Sequence, residues 1–280
     1  MKLGLGTAQL GFHYGIANST GKPDQSESSA ILRTAANSGI ECFDTAGAYG
    51  DSEETIGKFI KESGIRPKLC TKFSACTSAE HELQESLRCL GVDKLDYFLL
   101  HKPEQMYSQE FSKVLEALKQ NPAVGKVGAS IYNTSEAEEC LKHKVQVIQI
   151  PFNIIDSRLI KSGFLERAKS QGIELHARSI YLQGLLLKTG NDPLSWPVLK
   201  TLGLLARDQG LSVKELCFLY VRDCAYIDRF FIGCETVRQV LENIMLYRLA
   251  ELPKEFMGRM PQIFADVPDE ILNPSLWLSR

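Results

Sequence analysis

The sequence lacks the features that mark membrane-spanning, secreted and nucleic-acid-binding proteins. No window holds the roughly eighteen apolar residues that a membrane-spanning helix needs, and the first residues carry one cation and no small-residue cleavage site of a secretion signal. The formal net charge is only −2, without any long block of like charges. We therefore expect a cytoplasmic protein that binds a small molecule and has neither a nucleic-acid nor a membrane partner.

Common metal-binding and nucleotide-binding motifs are also missing. The eight cysteines include no C-x-x-C pair, and most lie in apolar runs, which predicts reduced core residues without disulfides. The histidines show no metal-ligand spacing, and His81-Glu82 lacks the second histidine of H-E-x-x-H, so we predict no metal site. Gly4-x-Gly6 does not continue as G-x-G-x-x-G, and the sequence contains no G-x-x-x-x-G-K-[ST] loop.

Present instead is a repeated alternation of short β-rich runs with amphipathic segments, which predicts parallel strands joined by crossover helices. The length of 280 residues suits one barrel domain, and no linker rich in Pro, Gly or Ser divides the chain. We predict an α/β fold, a (β/α)8 TIM barrel, as a single domain over residues 1–280. The predicted strands are Lys2–Thr7, Glu41–Asp44, Pro67–Lys72, Leu95–His101, Val124–Ser130, Val145–Ile150, Ile173–Arg178 and Arg229–Ile232.

The segments between the strands have apolar residues at helical spacing. The predicted helices include Ser78–Leu90, Phe111–Gln120, Glu136–Lys142, Ser162–Ser170 and Val237–Leu246. The seventh crossover is longer than the others, because both Pro193–Ala206 and Ser212–Asp223 have a helical pattern. We therefore expect an extra helix before the last strand.

The C-terminal segment, residues 251–280, loses helical periodicity and contains four prolines. We expect an irregular tail that wraps the barrel. Such a tail can cover one mouth of the barrel, or its Phe264, Leu276 and Trp277 can patch the outside. The sequence leaves both arrangements open.

Polar residues stand at the ends of consecutive predicted strands, where a (β/α)8 barrel builds its active site. Asp44, Lys72 and His101 each close a strand, at intervals of 28 and 29 residues, and Tyr49 lies in the loop after Asp44. Three more polar residues end later strands: Ser130, Gln149 and Arg178. Any one of them alone favours an ordinary structural role, such as a loop cap or a solvated lysine. Their joint position on one rim instead predicts a functional site.

The run from Phe43 to Glu53 resembles the aldo-keto reductase motif D-T-A-x-x-Y-G-x-S-E. Lys72 in T-K-F and His101 in L-L-H-K-P match the positions of that family's other two catalytic residues, and the similarity extends from Gly4 to Asn243. The resemblance implies a barrel oxidoreductase that uses NAD(P)H to reduce an aldehyde or ketone to an alcohol.

Four residues fit the chemistry of that reaction. Hydride delivery to a carbonyl carbon leaves negative charge on the oxygen, so a proton donor must lie beside it, and Tyr49 is the candidate. The ammonium of Lys72 stabilises the phenolate and makes proton exchange accessible near neutral pH. Asp44 neutralises and orients Lys72. His101 orients and polarises the carbonyl.

The resemblance also implies a set of cofactor-binding residues: Gly6, Thr7, Ser130, Gln149, Arg178, Ser179, Leu182, Gly184, Gly233, Glu235, Thr236, Gln239, Glu242 and Asn243. Ser130 and Gln149 match residues that hold the nicotinamide carboxamide, but Ile131 replaces the expected asparagine. Arg178 replaces an aromatic residue that often stacks on the nicotinamide. Its guanidinium plane can stack in the same way, or it can form a strand-end salt bridge.

The identity of the cofactor follows less directly. The resemblance implies NADP(H), whose 2′-phosphate is commonly held by basic residues near the last strand. Here Gly233 and Gln239 occupy two such positions, Glu235 is acidic, and Arg238 is the only cation of the segment. NAD(H), or use of both cofactors, stays open.

Two other functions compete with the reductase: a cofactor-binding regulatory subunit with little turnover, and a metal-assisted barrel isomerase or hydrolase. For the reductase, we expect the substrate pocket to draw on His13 or Tyr14 and on the loop after His101. That loop contains Lys102, Glu104, Met106 and Tyr107. Its charges favour a polar substrate, such as a sugar-derived carbonyl, over a steroid.

Overall fold

The computed structural model describes residues 1–188 and 195–279. Eight parallel strands form a closed barrel in which each strand pairs with the next along the chain and the last pairs with the first. This confirms the predicted (β/α)8 TIM barrel, and every predicted strand end lies within two residues of the observed one. The strands are β1 Leu3–Gly6, β2 Cys42–Asp44, β3 Lys68–Phe73, β4 Leu95–Leu100, β5 Val124–Ser130, β6 Val147–Pro151, β7 Glu174–Arg178 and β8 Arg229–Gly233.

Helices surround the barrel. Several begin at a side-chain cap, as at Asn133 and Ser212, where the side chain accepts from the third helical N–H and a glutamate returns the bond. In the described ranges the α-helices are α1 Ala8–Gly11, α2 Gln25–Asn37, α3 Ser52–Ser63, α4 Ala79–Leu90, α5 Gln109–Gln120, α6 Thr134–Lys142, α7 Arg158–Lys161, α8 Phe164–Ser170, α9 Trp196–Asp208, α10 Val213–Asp223, α11 Val237–Tyr247, α12 Lys254–Ile263 and α13 Asp269–Leu272. Short 3₁₀ helices lie at Cys76–Ser78, Pro103–Tyr107, Leu182–Leu187 and Pro274–Ser279.

The extra helix in the seventh crossover is confirmed, because α9 and α10 both precede β8. The predicted start of the first of these helices, Pro193, lies outside the described residues. The large hydrophobic core fills the space between strands and helices. Seven of the eight cysteines are buried, as predicted for core residues, and Cys89 is half-buried.

A second, smaller buried cluster orients the side chains of the site. Its members are Cys42, Cys70, Tyr97, Leu99, Val147 and Phe231. Side chains alternate between the two faces of a strand, so residues two positions apart share a face. Asp44, Lys72, His101 and Gln149 each lie two residues beyond a member of this cluster. The alternation therefore directs all four to the same side at the C-terminal end of the barrel.

The prediction of an irregular C-terminal tail is wrong over much of its length, because α12, α13 and a 3₁₀ helix lie within residues 251–280. Pro253 and Pro268 stand immediately before helices, where a missing N–H breaks no helical bond, and Pro261 lies near the end of α12. Phe256, Met260 and Phe264 are buried at a spacing of four residues, which is a helical pattern.

The tail packs against α7. Ser157 Oγ donates to the carbonyl of Phe264 at 3.2 Å, and Arg158 forms a salt bridge with Asp269 at 3.0 Å. Of the predicted patch residues, Phe264 is buried, Trp277 is half-buried and Leu276 is exposed. Among the described tail residues, none lines the pocket at the C-terminal end of the barrel. The structure thus favours the outer patch over the cover of the barrel mouth.

Candidate active site

A pocket opens at the C-terminal ends of the strands, and the catalytic candidates meet at one end of it. Asp44, Tyr49 and His101 line this end, while Lys72 lies beneath them with only 2% of its surface exposed. Lys72 Nζ donates to Asp44 Oδ1 at 2.8 Å, to Asp44 Oδ2 at 2.9 Å and to the carbonyl of Thr45 at 2.8 Å. All three ammonium protons therefore have an acceptor, as a buried ammonium requires.

Tyr49 and His101 complete this group. The two rings lie edge to face with centroids 5.7 Å apart, and Lys72 Nζ is 5.0 Å from the centroid of the Tyr49 ring. The structure thus brings together all four residues that the sequence predicted as catalytic.

The environment favours a definite protonation state for each of these groups. Burial raises the pKa of Tyr49, and the neighbouring ammonium of Lys72 opposes the rise without cancelling it. Burial alone would lower the pKa of Lys72, but the Asp44 carboxylate raises it above the ordinary value. Burial, with the charges of Lys72 and Arg178, lowers the pKa of His101 to about 4. At neutral pH the phenol is protonated, the ammonium is charged and the imidazole is neutral.

The direction for Tyr49 differs from the sequence-based expectation that Lys72 brings phenol ionisation close to neutral pH. Desolvation of the ring outweighs the attraction of the ammonium, because Asp44 already neutralises Lys72 at 2.8 Å. A phenol that keeps its proton is suited to act as an acid.

The last two residues of the D-T-A-x-x-Y-G-x-S-E motif support this end of the pocket from behind. Ser52 Oγ can donate to two acceptors on Thr7, the carbonyl at 3.0 Å and Oγ1 at 2.8 Å. Glu53 Oε1 accepts from Thr71 Oγ1 at 2.5 Å. Thr7 in turn donates to the carbonyl of Asp44 at 2.9 Å. These buried bonds tie β1, β2 and β3 to the start of α3.

A chain of hydrogen bonds leads from the catalytic group to predicted cofactor residues. Gln149 Nε2 donates to Asp44 Oδ1 at 2.7 Å, Ser130 Oγ donates to Gln149 Oε1 at 3.1 Å, and Arg178 Nε donates to Ser130 Oγ at 3.3 Å. Ser130 and Arg178 line the pocket, whereas the fully buried Gln149 lies below it.

With the residues that the structure describes, Arg178 does not form the strand-end salt bridge that was one of its two predicted roles. Its remaining bonds go to the carbonyl of Ile131 at 2.8 Å and to Ser179 Oγ at 3.2 Å, and its guanidinium lies 4.4 Å from the centroid of the Tyr132 ring. The Ile131 side chain points into the hydrophobic core. The Arg178 guanidinium therefore lies in the pocket beside the C-terminal end of β5.

The opposite end of the pocket lies beside β8 and α11. Gly233, Glu235, Gln239 and Asn243 line it, and Glu235 and Gln239 bond to each other through Gln239 Nε2 and Glu235 Oε2 at 2.6 Å. Asn243 is 4% exposed, and its side-chain oxygen has no hydrogen-bond partner among the described residues. A buried acceptor of this kind is costly unless a ligand or water donates to it.

Most of the predicted cofactor residues line the pocket, namely Gly6, Thr7, Ser130, Arg178, Ser179, Gly184, Gly233, Glu235, Gln239 and Asn243. Four lie outside the lining. Gln149 and Leu182 are buried behind it, Thr236 caps α11 by accepting from the N–H of Gln239, and Glu242 pairs with Lys214 and Arg238.

Gly184 leaves no room for a side chain, because the loop after α1 packs against it. It has a φ of +94°, and a Cβ added there would lie 2.4 Å from the Cβ of Ala17. Ile16 N–H also donates to the carbonyl of Gln183 at 3.1 Å. The missing side chain thus lets the loop after α1 close over the pocket.

Lys214 and Tyr132 are among the lining residues that the sequence did not predict. Lys214, near the start of α10, faces the same end of the pocket as Glu235, so a cation from outside the segment of Arg238 also lies there. Its proximity arises from helix packing, which no local pattern signals. The position of Tyr132, two residues after the strand-end Ser130, weakly indicates a residue of the pocket.

The expected contribution of the loop after His101 to the pocket is also wrong. Residues Pro103–Tyr107 form a 3₁₀ helix that buries Met106 and leaves Tyr107 58% exposed. Lys102, Glu104, Met106 and Tyr107 do not line the pocket, and neither does His13, whereas Tyr14 does. The preference for a sugar-derived carbonyl, which rested on Lys102 and Glu104, loses its support.

Within the described ranges, no three His, Cys, Asp or Glu side chains lie together as metal ligands would. Over the same residues, no helix is long and apolar enough to cross a membrane.

The fold and the site define a (β/α)8-barrel protein whose polar pocket is built from the C-terminal ends of its strands. The model of the aldo/keto reductase family matches residues 2–265, so the chain belongs to that family. It is 30% identical to a glyoxal reductase from Bacillus subtilis over 171 residues, which are 58% of this chain and 60% of that protein. The chain thus spans about three fifths of the length of this and the next three curated relatives.

Solved structures show the same fold. The holo form of the aldo-keto reductase AKR11C1 from Bacillus halodurans superposes with a TM-score of 0.78 at 21% identity, over 94% of this chain and 91% of that one. An aldo/keto reductase from Klebsiella pneumoniae in complex with NADP and acetate gives a TM-score of 0.72 at 20% identity, with the same coverage.

Proposed function

We propose that this protein is an NAD(P)H-dependent oxidoreductase that reduces the carbonyl of a small aldehyde or ketone to an alcohol, with Tyr49 as the proton donor. The observation that carries the proposal is the group at the pocket end: a buried Lys72–Asp44 pair beneath a protonated Tyr49 and a neutral His101. Membership of the aldo/keto reductase family and similarity to a glyoxal reductase support the same class of reaction.

The residues of the pocket fit a nicotinamide dinucleotide. The pocket extends from the carbonyl-reducing group to Asn243, whose buried side-chain oxygen has no partner and can accept from a ligand amino group. Ser130 and Arg178 line the section near Tyr49, where the resemblance predicts the nicotinamide. Gly184 and Gly233 present backbone without side chains along the length between.

We propose NADP(H) as the favoured cofactor and NAD(H) as the second. Lys214 supplies a cation at the Asn243 end, and its ammonium lies 2.6 Å from a carboxylate oxygen of Glu242. An ammonium at this end can pair with a 2′-phosphate, which NAD(H) lacks. The structure of the Klebsiella relative with NADP supports the same choice.

The reduction needs a hydride and a proton, and this chain supplies and positions the proton. A bound nicotinamide cofactor would supply the hydride to the carbonyl carbon, and the carbonyl oxygen would take up the negative charge. Tyr49 then transfers its phenol proton to that oxygen, and a proton from solvent restores the phenol. His101, neutral at this pH, donates a hydrogen bond to the same oxygen. Lys72 limits the cost of the transient phenolate, and Asp44 holds Lys72 in place.

Replacement of Tyr49 by phenylalanine tests the proposal. Removal of a positioned general acid lowers turnover by about 10²–10⁴-fold. We therefore expect Tyr49→Phe to lose at least about 10²-fold in kcat on an aldehyde panel that includes glyoxal, with cofactor affinity kept. Tyr107→Phe is the matched control, because Tyr107 is 58% exposed and outside the pocket.

Wild-type turnover by Tyr49→Phe would overturn the assignment of the donor. A wild-type protein that binds cofactor tightly but turns over no carbonyl would instead identify the regulatory subunit that competes with the reductase.

A further inference from the structure

Arg178 is a cation of the pocket that has only neutral hydrogen-bond partners. Its three bonds go to Ser130 Oγ, Ser179 Oγ and the carbonyl of Ile131, and its guanidinium carbon lies 4.4 Å from the centroid of the Tyr132 ring. Across residues 1–188 and 195–279, no carboxylate lies within salt-bridge distance of its guanidinium. The positive charge of Arg178 is therefore held in place without being neutralised.

Among the described residues, the other cations at or beneath the pocket are paired with carboxylates. Asp44 pairs with Lys72 at 2.8 Å, and Glu242 pairs with Lys214 at 2.6 Å. His101 carries no charge at neutral pH. Counted over the residues that the structure describes, the carbonyl-reducing end of the pocket thus holds one net positive charge, and it comes from Arg178.

This charge reaches the reacting groups. Arg178 acts electrostatically on both Tyr49 and His101, lowering the pKa of each. Arg178 and Ser130 are also hydrogen-bonded to each other at 3.3 Å where they line the pocket beside that end. A ligand ring placed for hydride transfer to a carbonyl at Tyr49 would lie in the same pocket as the guanidinium.

The two redox forms of a nicotinamide differ by one charge, because the oxidised ring is cationic and the reduced ring is neutral. We propose that Arg178 makes the pocket select the reduced cofactor, by repelling the oxidised ring while leaving the reduced ring unaffected. The inference rests on the proposed function and adds a direction to it: the residue favours carbonyl reduction and the release of the oxidised cofactor.

The expected size follows from Coulomb's law. Two unit charges a few ångströms apart in a partly solvated site interact by more than the free energy of a tenfold change in affinity. We therefore expect the dissociation constant of the oxidised cofactor to exceed that of the reduced cofactor by about tenfold or more.

The test is the ratio of these two constants, measured by quenching of intrinsic fluorescence with NADPH and NADP+ and then with NADH and NAD+. Arg178→Met removes the charge and keeps much of the side-chain length, and it should bring the ratio close to one. Arg178→Lys keeps the charge and should keep the ratio. Arg167→Met removes a cation from α8, outside the pocket, and controls for overall charge.

The outcomes separate this inference from the function on which it rests. A ratio near one in the wild type, or a ratio that Arg178→Met leaves unchanged, overturns the role of Arg178 while the reductase stands. Equal losses of affinity for both forms in Arg178→Met identify an ordinary contact residue and also overturn it. If the wild type binds neither form of either cofactor, the proposed function itself fails. Circular dichroism of each variant verifies that it folds.

Discussion

The buried Asp44–Lys72 pair allows a quantitative test of how the site is held together. Lys72→Met removes the ammonium and leaves a carboxylate that is 5% exposed, with one amide donor, Gln149. Asp44→Asn removes the carboxylate charge and leaves an ammonium that is 2% exposed without a counter-ion. The double variant replaces the charged pair with a neutral one.

The magnitude follows from the geometry. At an effective dielectric constant of about 20, unit charges separated by the observed 2.8 Å attract by about 6 kcal/mol. Desolvation offsets part of this attraction, so loss of either partner alone should lower the free energy of unfolding by about 3–5 kcal/mol. The double variant leaves no unpaired charge, so its loss should be close to that of one single variant, which implies a coupling energy of about 3 kcal/mol or more.

Urea unfolding of the four proteins at pH 7, followed by circular dichroism, measures this coupling. The matched control is the same cycle on Lys22 and Asp51, whose side chains are 38% and 49% exposed. Exposed pairs couple by at most about 1 kcal/mol. If the two losses at Asp44 and Lys72 simply add in the double variant, the pair is not the unit that we describe and the reasoning fails.

Three further predictions follow from the geometry. Because the pKa of His101 is lowered to about 4, the folded state binds fewer protons than the unfolded state between pH 6.5 and 4. The free energy of unfolding should therefore fall by up to about 3 kcal/mol as the pH drops through this window. The urea midpoint should fall less steeply with pH in His101→Asn than in the wild type, and an equal slope would contradict this. Lys214→Ala should weaken NADPH binding about tenfold more than NADH binding, since loss of a charge-assisted phosphate contact costs over about 1.4 kcal/mol; fluorescence titration giving equal losses would exclude a phosphate contact. Gly184→Ala should cost about 1–3 kcal/mol and weaken cofactor binding, because of its φ of +94° and the contact with Ala17; a wild-type melting curve would refute this.

The parts that the sequence predicted correctly depend on local patterns. Strands β1 to β8 alternate with helices, and the alternation of β-rich runs with amphipathic segments predicts where each strand begins and ends. Asp44, Lys72 and His101 end successive strands of a parallel barrel, so their meeting follows from spacing alone. Tyr49 could be predicted only from the D-T-A-x-x-Y-G-x-S-E motif, because it lies in a loop, where residue spacing does not indicate a position.

The parts that were missed depend on packing between distant segments. Lys214 reaches the pocket only because α10 packs beside α11, and Met106 leaves it because a 3₁₀ helix buries its side chain. In the tail, four prolines suggested irregular structure. Pro253 and Pro268 instead stand immediately before α12 and α13, where proline is compatible with a helix. The raised pKa of Tyr49 could not be predicted from local sequence either, since it depends on how deeply the phenol is buried.

The hydrogen-bond chain from Arg178 through Ser130 and Gln149 to Asp44 has a consequence for redesign of the protein. Because Asp44 Oδ1 accepts from both Gln149 and Lys72, we expect a substitution introduced at Ser130 or Gln149 to alter ligand recognition also to change the environment of Lys72 beneath Tyr49, the proposed proton donor. Among the described residues, no such hydrogen-bond chain links the end of the pocket near Lys214 to Asp44. We therefore expect substitutions there to change the preference between the two proposed cofactors without disturbing Asp44.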